Sequence, residues 1–150
     1  MAATAMNAHE TPIELSVIAP AHNEQDNVAP FLAELAGLID PLGIAWEMVI
    51  IDDGSTDQTA AKLREAMARY PQLRVYRMRN TPPGRGVGPS AAFAAAIRQC
   101  RGRLIASLDA DLQNDPAEIP RMLELHRAEG VDMIQGDRSA NRRDRLVRRV

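Results

Sequence analysis

Residues 107–116 read Ser-Leu-Asp-Ala-Asp-Leu-Gln-Asn-Asp-Pro and follow the apolar run Leu104-Ile105-Ala106. In extended chain, alternate residues point the same way, so Asp109, Asp111 and Gln113 can present three oxygen ligands from one edge. Two carboxylates about 4 Å apart repel by roughly 4 kcal/mol at an effective dielectric near 20, so a cation is expected between them. Hard oxygen ligands without His or Cys beside them favour Mg2+ or Mn2+, which bind one or two carboxylates together with substrate phosphates. A calcium loop also starts Asp-x-Asp, but here its sixth position is Asn114 instead of Gly and its twelfth is Pro120 instead of Glu, which excludes it. Asp115 has a different job, because Asp115-Pro116-Ala117-Glu118 reads as a helix start with Asp at the N-cap, Pro first and Glu third.

Three further clusters could do chemistry. Asp52-Asp53-Gly54-Ser55-Thr56-Asp57 joins two acids to a capping box in which Ser55 reaches Gln58, with Asp57 suited to the helix dipole. An ionised carboxylate only accepts hydrogen bonds, so Asp52 or Asp53 suits a nucleobase N–H. Pro20-Ala21-His22-Asn23-Glu24 stands where a dinucleotide-binding protein carries Gly-x-Gly-x-x-Gly, and the missing glycines count against NAD and FAD. His22 alone reads as a packing residue at a turn. Gly84-Arg85-Gly86-Val87-Gly88 has the composition of a phosphate cradle without the Gly-Lys-Ser/Thr ending of a P-loop, and is equally readable as a mobile connection.

These clusters need elements to position them. Four times a short apolar run passes through a polar turn into a stretch with helical spacing, the pattern of repeated βα units. Strands are expected at Leu15–Ala19, Trp46–Ile51, Leu73–Met78 and Leu104–Leu108, with a fifth at Val131–Ile134. The first helix places Val28, Phe31, Leu32, Leu35 and Ile39 on one face, and the second turns Ala60, Leu63, Ala66 and Met67 inward. A third runs from about Ser90 to Cys100, and a fourth follows Pro116. Nearly apolar strands alternating with helices imply a parallel sheet covered on both faces. In such sheets ligands bind outside the carboxyl ends of the strands, where all the polar clusters lie.

The 150 residues suffice for one domain with its own core. Cys100, the only cysteine, reads as a small packing residue, and a reducing compartment is the default. Residues 1–12 have neither the basic start nor the apolar segment of a secretory signal and are expected to be a disordered extension. No window approaches the roughly 20 apolar residues of a membrane span. Residues 138–150 hold six arginines against Asp144, leaving −7 on the rest of a chain whose net charge is −2. That basic segment suits a phosphate or an anionic membrane surface. Nucleic acid is a poor partner, since there are only five aromatics and the body is acidic.

Taken together, "SVIAPAHNE", "VIIDDGSTD" and "SLDADLQNDP", at the ends of the first, second and fourth strands, resemble the family 2 glycosyltransferases, and the "DADLQ" form resembles the dolichyl- or polyprenyl-phosphate branch. The resemblance covers about Leu15 to Arg138. It implies an α/β GT-A fold, a Rossmann-like three-layer sandwich with a mainly parallel central sheet, over residues 13–138. It implies an inverting, metal-dependent transfer of sugar from a UDP- or GDP-sugar to a polyprenyl phosphate, with Mg2+ or Mn2+ as cofactor. Pro20, His22 and Glu24 would border the nucleotide, Asp52 or Asp53 would contact the base, and Arg85 would lie over the phosphates. Asp109 would lie near nucleotide and metal, Asp111 and Gln113 would ligate the metal, and Arg138, with one of Arg145, Arg148 or Arg149, would hold acceptor phosphate. The protein would then work at the inner face of the membrane.

The third helix lacks the glycine that many relatives carry after its alanines. Relatives also continue past this point, so the chain is expected to end within the acceptor region, in the basic segment 139–150. A saccharide acceptor, a non-catalytic nucleotide-sugar-binding module and a nucleotidyltransferase are the alternatives. A dehalogenase-type phosphatase is disfavoured because its Asp-x-Asp follows the first strand.

Overall fold

The computed structural model describes residues 12–79, 81–82, 85–112 and 115–136. The chain divides into two compact units, Met1–Pro116 and Ala117–Val150. The first holds β1 (Leu15–Ala21), α1 (Val28–Ile39), a 3-10 turn (Asp40–Leu42), β2 (Trp46–Asp52), α2 (Thr59–Ala66), β3 (Leu73–Arg77), α3 (Pro89–Ile97) and β4 (Leu104–Ser107). The second holds α4 (Glu118–Glu129). No helix among the described residues is long and apolar enough to cross a membrane.

The four strands form a parallel sheet in the order β3-β2-β1-β4. The β1 and β2 sequences are almost continuously apolar because both strands are central, and all seven residues of β2 are buried. Their register runs from Leu15 opposite Trp46 to Ala21 opposite Asp52, so the two polar strand ends finish side by side. On one face, Ile18, Val49 and Ile51 pack against Ala92 and Ala96 of α3. Strand alternation sends Met48, Ile50 and Asp52 to the opposite face, where Ala60 of α2 and Met67 just beyond it lie beside Asp52. Helix α1 buries all five residues its spacing selects, at about 2 kcal/mol each. Its Pro30 stands in the first turn, where no backbone N–H is needed.

Four local expectations are corrected. Met67 is 44% exposed, because α2 ends at Ala66. Strand β4 is not covered on both sides: α3 sits over β1 and β2, leaving Ile105 and Ser107 exposed. Val131–Ile134 forms no strand, and Met133 is 81% exposed, since so short a run becomes a strand only where an edge receives it. Helix α4 begins at Glu118 with Ala117 at its N-cap, so Asp115 precedes the cap and Pro116-Ala117 form a turn.

A buried charge lies at the amino end of the sheet. The Glu47 carboxylate, fully buried in β2, accepts hydrogen bonds from Ser16 Oγ at 2.8 Å, Arg101 N at 2.7 Å, and Arg101 Nε and Arg74 Nη1 at 2.9 Å each. Gly102 N donates to the same Ser16 hydroxyl, and a side chain at Gly102 would meet Ser16 N at 2.5 Å. Cys100 packs beside the α3 cluster as expected, and burial pushes its thiol pKa up.

Burial pushes the Glu47 carboxyl up, but the Arg101 N–H, the Ser16 hydroxyl and the two guanidiniums outweigh it and hold the group below its ordinary value. Its stabilisation is therefore complete above the unfolded-state pKa of about 4.3 and is lost as pH falls through the lower folded-state value. Glu47→Gln is expected to cost about 2–4 kcal/mol near neutrality. Wild type and variant should converge only as pH falls through that lowered folded-state value, as denaturant melts at graded pH would show.

Candidate functional site

The carboxyl end of the sheet gathers the polar clusters. Strand β1 ends at Ala21, which hands the chain to His22, Asn23 and Glu24. The neighbouring β2 ends at Asp52, and Asp53 N continues the ladder by donating to Ala21 O at 2.9 Å. On the other side of β1, Leu108 N donates to Ile18 O at 3.0 Å and leads to Asp109 and Asp111, both half-buried around the buried Ala110. Asp53 and Asp109 therefore follow two strands that flank β1.

The two adjacent acids of β2 do different things. Asp52 is 1% exposed, its Oδ1 accepts Ser55 N at 3.0 Å, and its Oδ2 lies 3.3 Å from Arg77 Nε. That second contact is an ion pair rather than a directed hydrogen bond, since Oδ2 has no hydrogen-bond partner. Asp53 turns to the α3 side, where its carboxylate accepts Val87 N at 2.8 and 2.9 Å and Gly88 N at 2.8 Å. These amides immediately precede α3, so the carboxylate meets the positive end of a helix dipole. Gly86 has φ +65°, and a Cβ there would lie 2.6 Å from Asp53 Oδ2.

His22 joins the two strand ends. Its Nδ1 lies 2.7 Å from Asp53 O; a carbonyl only accepts, so Nδ1 carries the proton and Nε2 accepts from Asn23 Nδ2 at 3.3 Å. Glu24 N donates to Thr59 Oγ1 at 2.8 Å, and Glu24 Oε2 accepts from Asn27 Nδ2 at 2.6 Å. The expected Ser55–Gln58 capping box is absent. Ser55 Oγ instead accepts Asn23 N at 3.0 Å, and Asp57 Oδ1 accepts Thr59 N at 2.9 Å. Burial raises the Asp57 pKa, but the Thr59 hydroxyl and N–H and the Gln25 N–H together lower it, as befits a structural acid.

Of the sequence-selected residues, Pro20, His22, Glu24, Asp52, Asp53, Asp109 and Asp111 lie at this end of the sheet, and Arg85 is exposed two residues before the turn that binds Asp53. Gln113, Arg138, Arg145, Arg148 and Arg149 lie outside the described residues. Among the described residues, no three His, Cys, Asp or Glu side chains group as a metal site. Sequence reasoning passed over Asn23. It adopts a left-handed φ of 56°, and its Oδ1 accepts Thr56 N at 2.9 Å. Asparagine directly after a strand-end histidine was the available signal, since Asn tolerates that conformation. Leu112, next to Asp111, has φ 59°, an uncommon backbone for a bulky side chain.

The model of glycosyl transferase family 2 matches residues 16–149. The chain belongs to that family. This family 2 chain is 40% identical over 139 residues to the dodecaprenyl-phosphate galacturonate synthase of Rhizobium johnstonii, covering 91% of the chain and 39% of that protein. It is 41% identical over 139 residues to the undecaprenyl-phosphate 4-deoxy-4-formamido-L-arabinose transferase of Pseudomonas paraeruginosa, covering 92% and 39%. The chain thus spans about two fifths of the length of these relatives. Among solved structures, TarS 1-349 of S. aureus in complex with UDP superposes with a TM-score of 0.65 at 24% identity, over 79% of the chain and 33% of that TarS fragment. The mannosyltransferase PcManGT of Pyrobaculum calidifontis, in complex with GDP-Man and Mn2+, gives 0.55 at 26%, over 65% and 27%. The fold of this family 2 chain is the expected α/β GT-A fold with a parallel central sheet.

Gly86→Ala should cost about 1–2 kcal/mol through its left-handed backbone and displace the turn from Asp53. Hydrogen exchange at the Val87 and Gly88 amides is expected to accelerate more than at the strand amides.

Proposed function

We propose that this chain forms the donor-binding part of a glycosyltransferase that moves a sugar from a UDP- or GDP-sugar to a polyprenyl phosphate with inversion. The observation that carries this is the convergence of all three motif clusters on one sheet end, in a chain about 40% identical to two polyprenyl-phosphate sugar transferases. The donor-binding domain would span residues 13–138, at the inner face of the membrane, with the basic segment 139–150 toward the lipid.

In this proposal Asp53, rather than Asp52, accepts from the base N–H. Its carboxylate has lone pairs beyond those used by Val87 and Gly88, and it faces the turn that follows Arg85. Pro20, His22 and Glu24 border the pocket, and Arg85 lies over the diphosphate. Asp109 and Asp111, with Gln113, offer hard oxygen ligands at the end of β4. A pair of carboxylates fits Mg2+ or Mn2+, which take their remaining ligands from phosphate and water. Such an ion, when bound, stabilises the departing nucleoside diphosphate. The left-handed Leu112 supports a functional turn here, because backbone strain concentrates at such sites.

Arg138 and Arg148 are assigned to the acceptor phosphate, whose second pKa near 6 leaves it mostly dianionic at about pH 7. Such a nucleophile needs no general base. That agrees with a His22 whose two ring nitrogens both have partners within the chain.

Incubation with UDP- and GDP-sugars, Mn2+ and a polyprenyl phosphate is expected to yield a lipid-linked sugar. Calorimetry should show nucleotide binding that depends on Mn2+ and is weakened at least tenfold, ~1.4 kcal/mol, in Asp111→Ala. Equal wild-type affinity in Mn2+ and in chelator would overturn the metal assignment.

A further inference from the structure

Arg77 stands at the end of β3, and no motif marks it. Its Nε pairs with the buried Asp52 Oδ2 at 3.3 Å, and its Nη2 donates to Ser55 O at 3.2 Å. Asp52 Oδ1 accepts Ser55 N at 3.0 Å, so the ion pair grips both backbone polar groups of one loop residue. From Ser55 the contacts run onward. Its hydroxyl accepts Asn23 N, the Asn23 amide meets His22 Nε2, and His22 Nδ1 donates to Asp53 O. They form a polar circuit from the sheet edge to the backbone carbonyl of Asp53, the residue whose carboxylate is assigned above to the base.

Strand register places Arg77 opposite Asp52 on the α2 face, whereas Asp53 meets the turn before α3. Arg77 therefore lies apart from the turn that holds Asp53. It also borders a cleft of about 160 Å³ with Asp52, Ala60, Arg64 and Met67, so a shorter or apolar side chain is accommodated there.

We propose that Arg77 is a positioning residue for the donor base, holding the β2–α2 loop through Ser55 and Asp52 so that Asp53 stays aimed at the base. This rests on the donor-binding reading above. A residue that merely neutralises Asp52 would affect fold stability alone. One that positions Ser55 affects base recognition even when the charge is removed from both partners.

The test compares wild type, Arg77→Met, Arg77→Lys and the double variant Asp52→Asn/Arg77→Met by melting temperature and by calorimetry with UDP, GDP and pyrophosphate in Mn2+. Arg77→Met should melt several degrees lower, because it strands a buried carboxylate. The double variant should regain most of that loss, yet bind UDP or GDP about tenfold more weakly than wild type, the worth of one charge-assisted hydrogen bond. Arg77→Lys, which keeps the charge and the fold, should show the same weakening. Pyrophosphate, which lacks a base, should bind all four alike. Nucleotide affinity that recovers together with melting temperature, or an equal loss for pyrophosphate, would overturn the role of Arg77 alone. Wild type that binds neither nucleotide would sink the donor-binding reading, and this inference with it.

Discussion

The Glu47 carboxylate is the interaction on which the order and register of the sheet depend. A fully buried charge costs several kcal/mol unless donors surround it. Here the donors come from β1 through Ser16, from β3 through Arg74, and from the connection into β4 through Arg101. Slipping β2 by one residue would turn Glu47 to the opposite face, away from all three. With Ser16 fixed opposite Glu47, the alignment of Ala21 with Asp52 at the far end follows, because the strands between are continuous. Asp53 lies six residues beyond Glu47, roughly 20 Å along the strand. Order at the carboxyl rim is thus set at the amino rim.

The rim itself is held differently. Ile51 and Ala21 are the last buried apolar residues of their strands, and beyond them polar side chains do the joining. His22, Asn23, Ser55 and Asp53 form cross-strand hydrogen bonds whose partners are 31 or 32 positions apart in sequence. Such a network has directional requirements that packing lacks, and it tolerates a left-handed Asn23 costing about 1–2 kcal/mol because several bonds define that residue at once. Binding residues on loops over a rigid sheet are the usual arrangement. In this chain the loops are tied to one another as well as to the sheet.

How legible each part was in the sequence follows from what determines it. Strands β1 and β2 and the buried face of α1 were readable because burial leaves a period in the residues themselves. The fifth strand and the covering of β4 were not. Both depend on what lies beside a short run, and Val131–Ile134 carries no information about a neighbour. The motif clusters were found through residue type and position after each strand. The tasks within them were not, because one hydroxyl such as Ser55 serves a cap or a neighbouring loop with equal chemistry. Only geometry showed that it bonds Asn23 while Asp57 Oδ1 accepts the first N–H of α2. Arg77 left no signal at all: an arginine at a strand end is unremarkable until its partner proves to be a buried acid.

The pair Asp52-Asp53 shows how little two adjacent identical residues need share. Alternation along β2 carries Asp52 to the α2 face, and the end of the strand releases Asp53 toward α3. Each charge is then balanced by a different device: Asp52 by the Arg77 guanidinium, Asp53 by two amides at the positive end of a helix. The difference bears on the acceptor capacity each carboxylate keeps. An aspartate locked by a guanidinium and a backbone amide beneath the rim has little left to offer a ligand, whereas one held by amides alone keeps acceptor capacity and faces the turn that follows Arg85. A sequence motif that names both acids therefore covers one residue paired with a strand-end arginine and one held by the turn before α3.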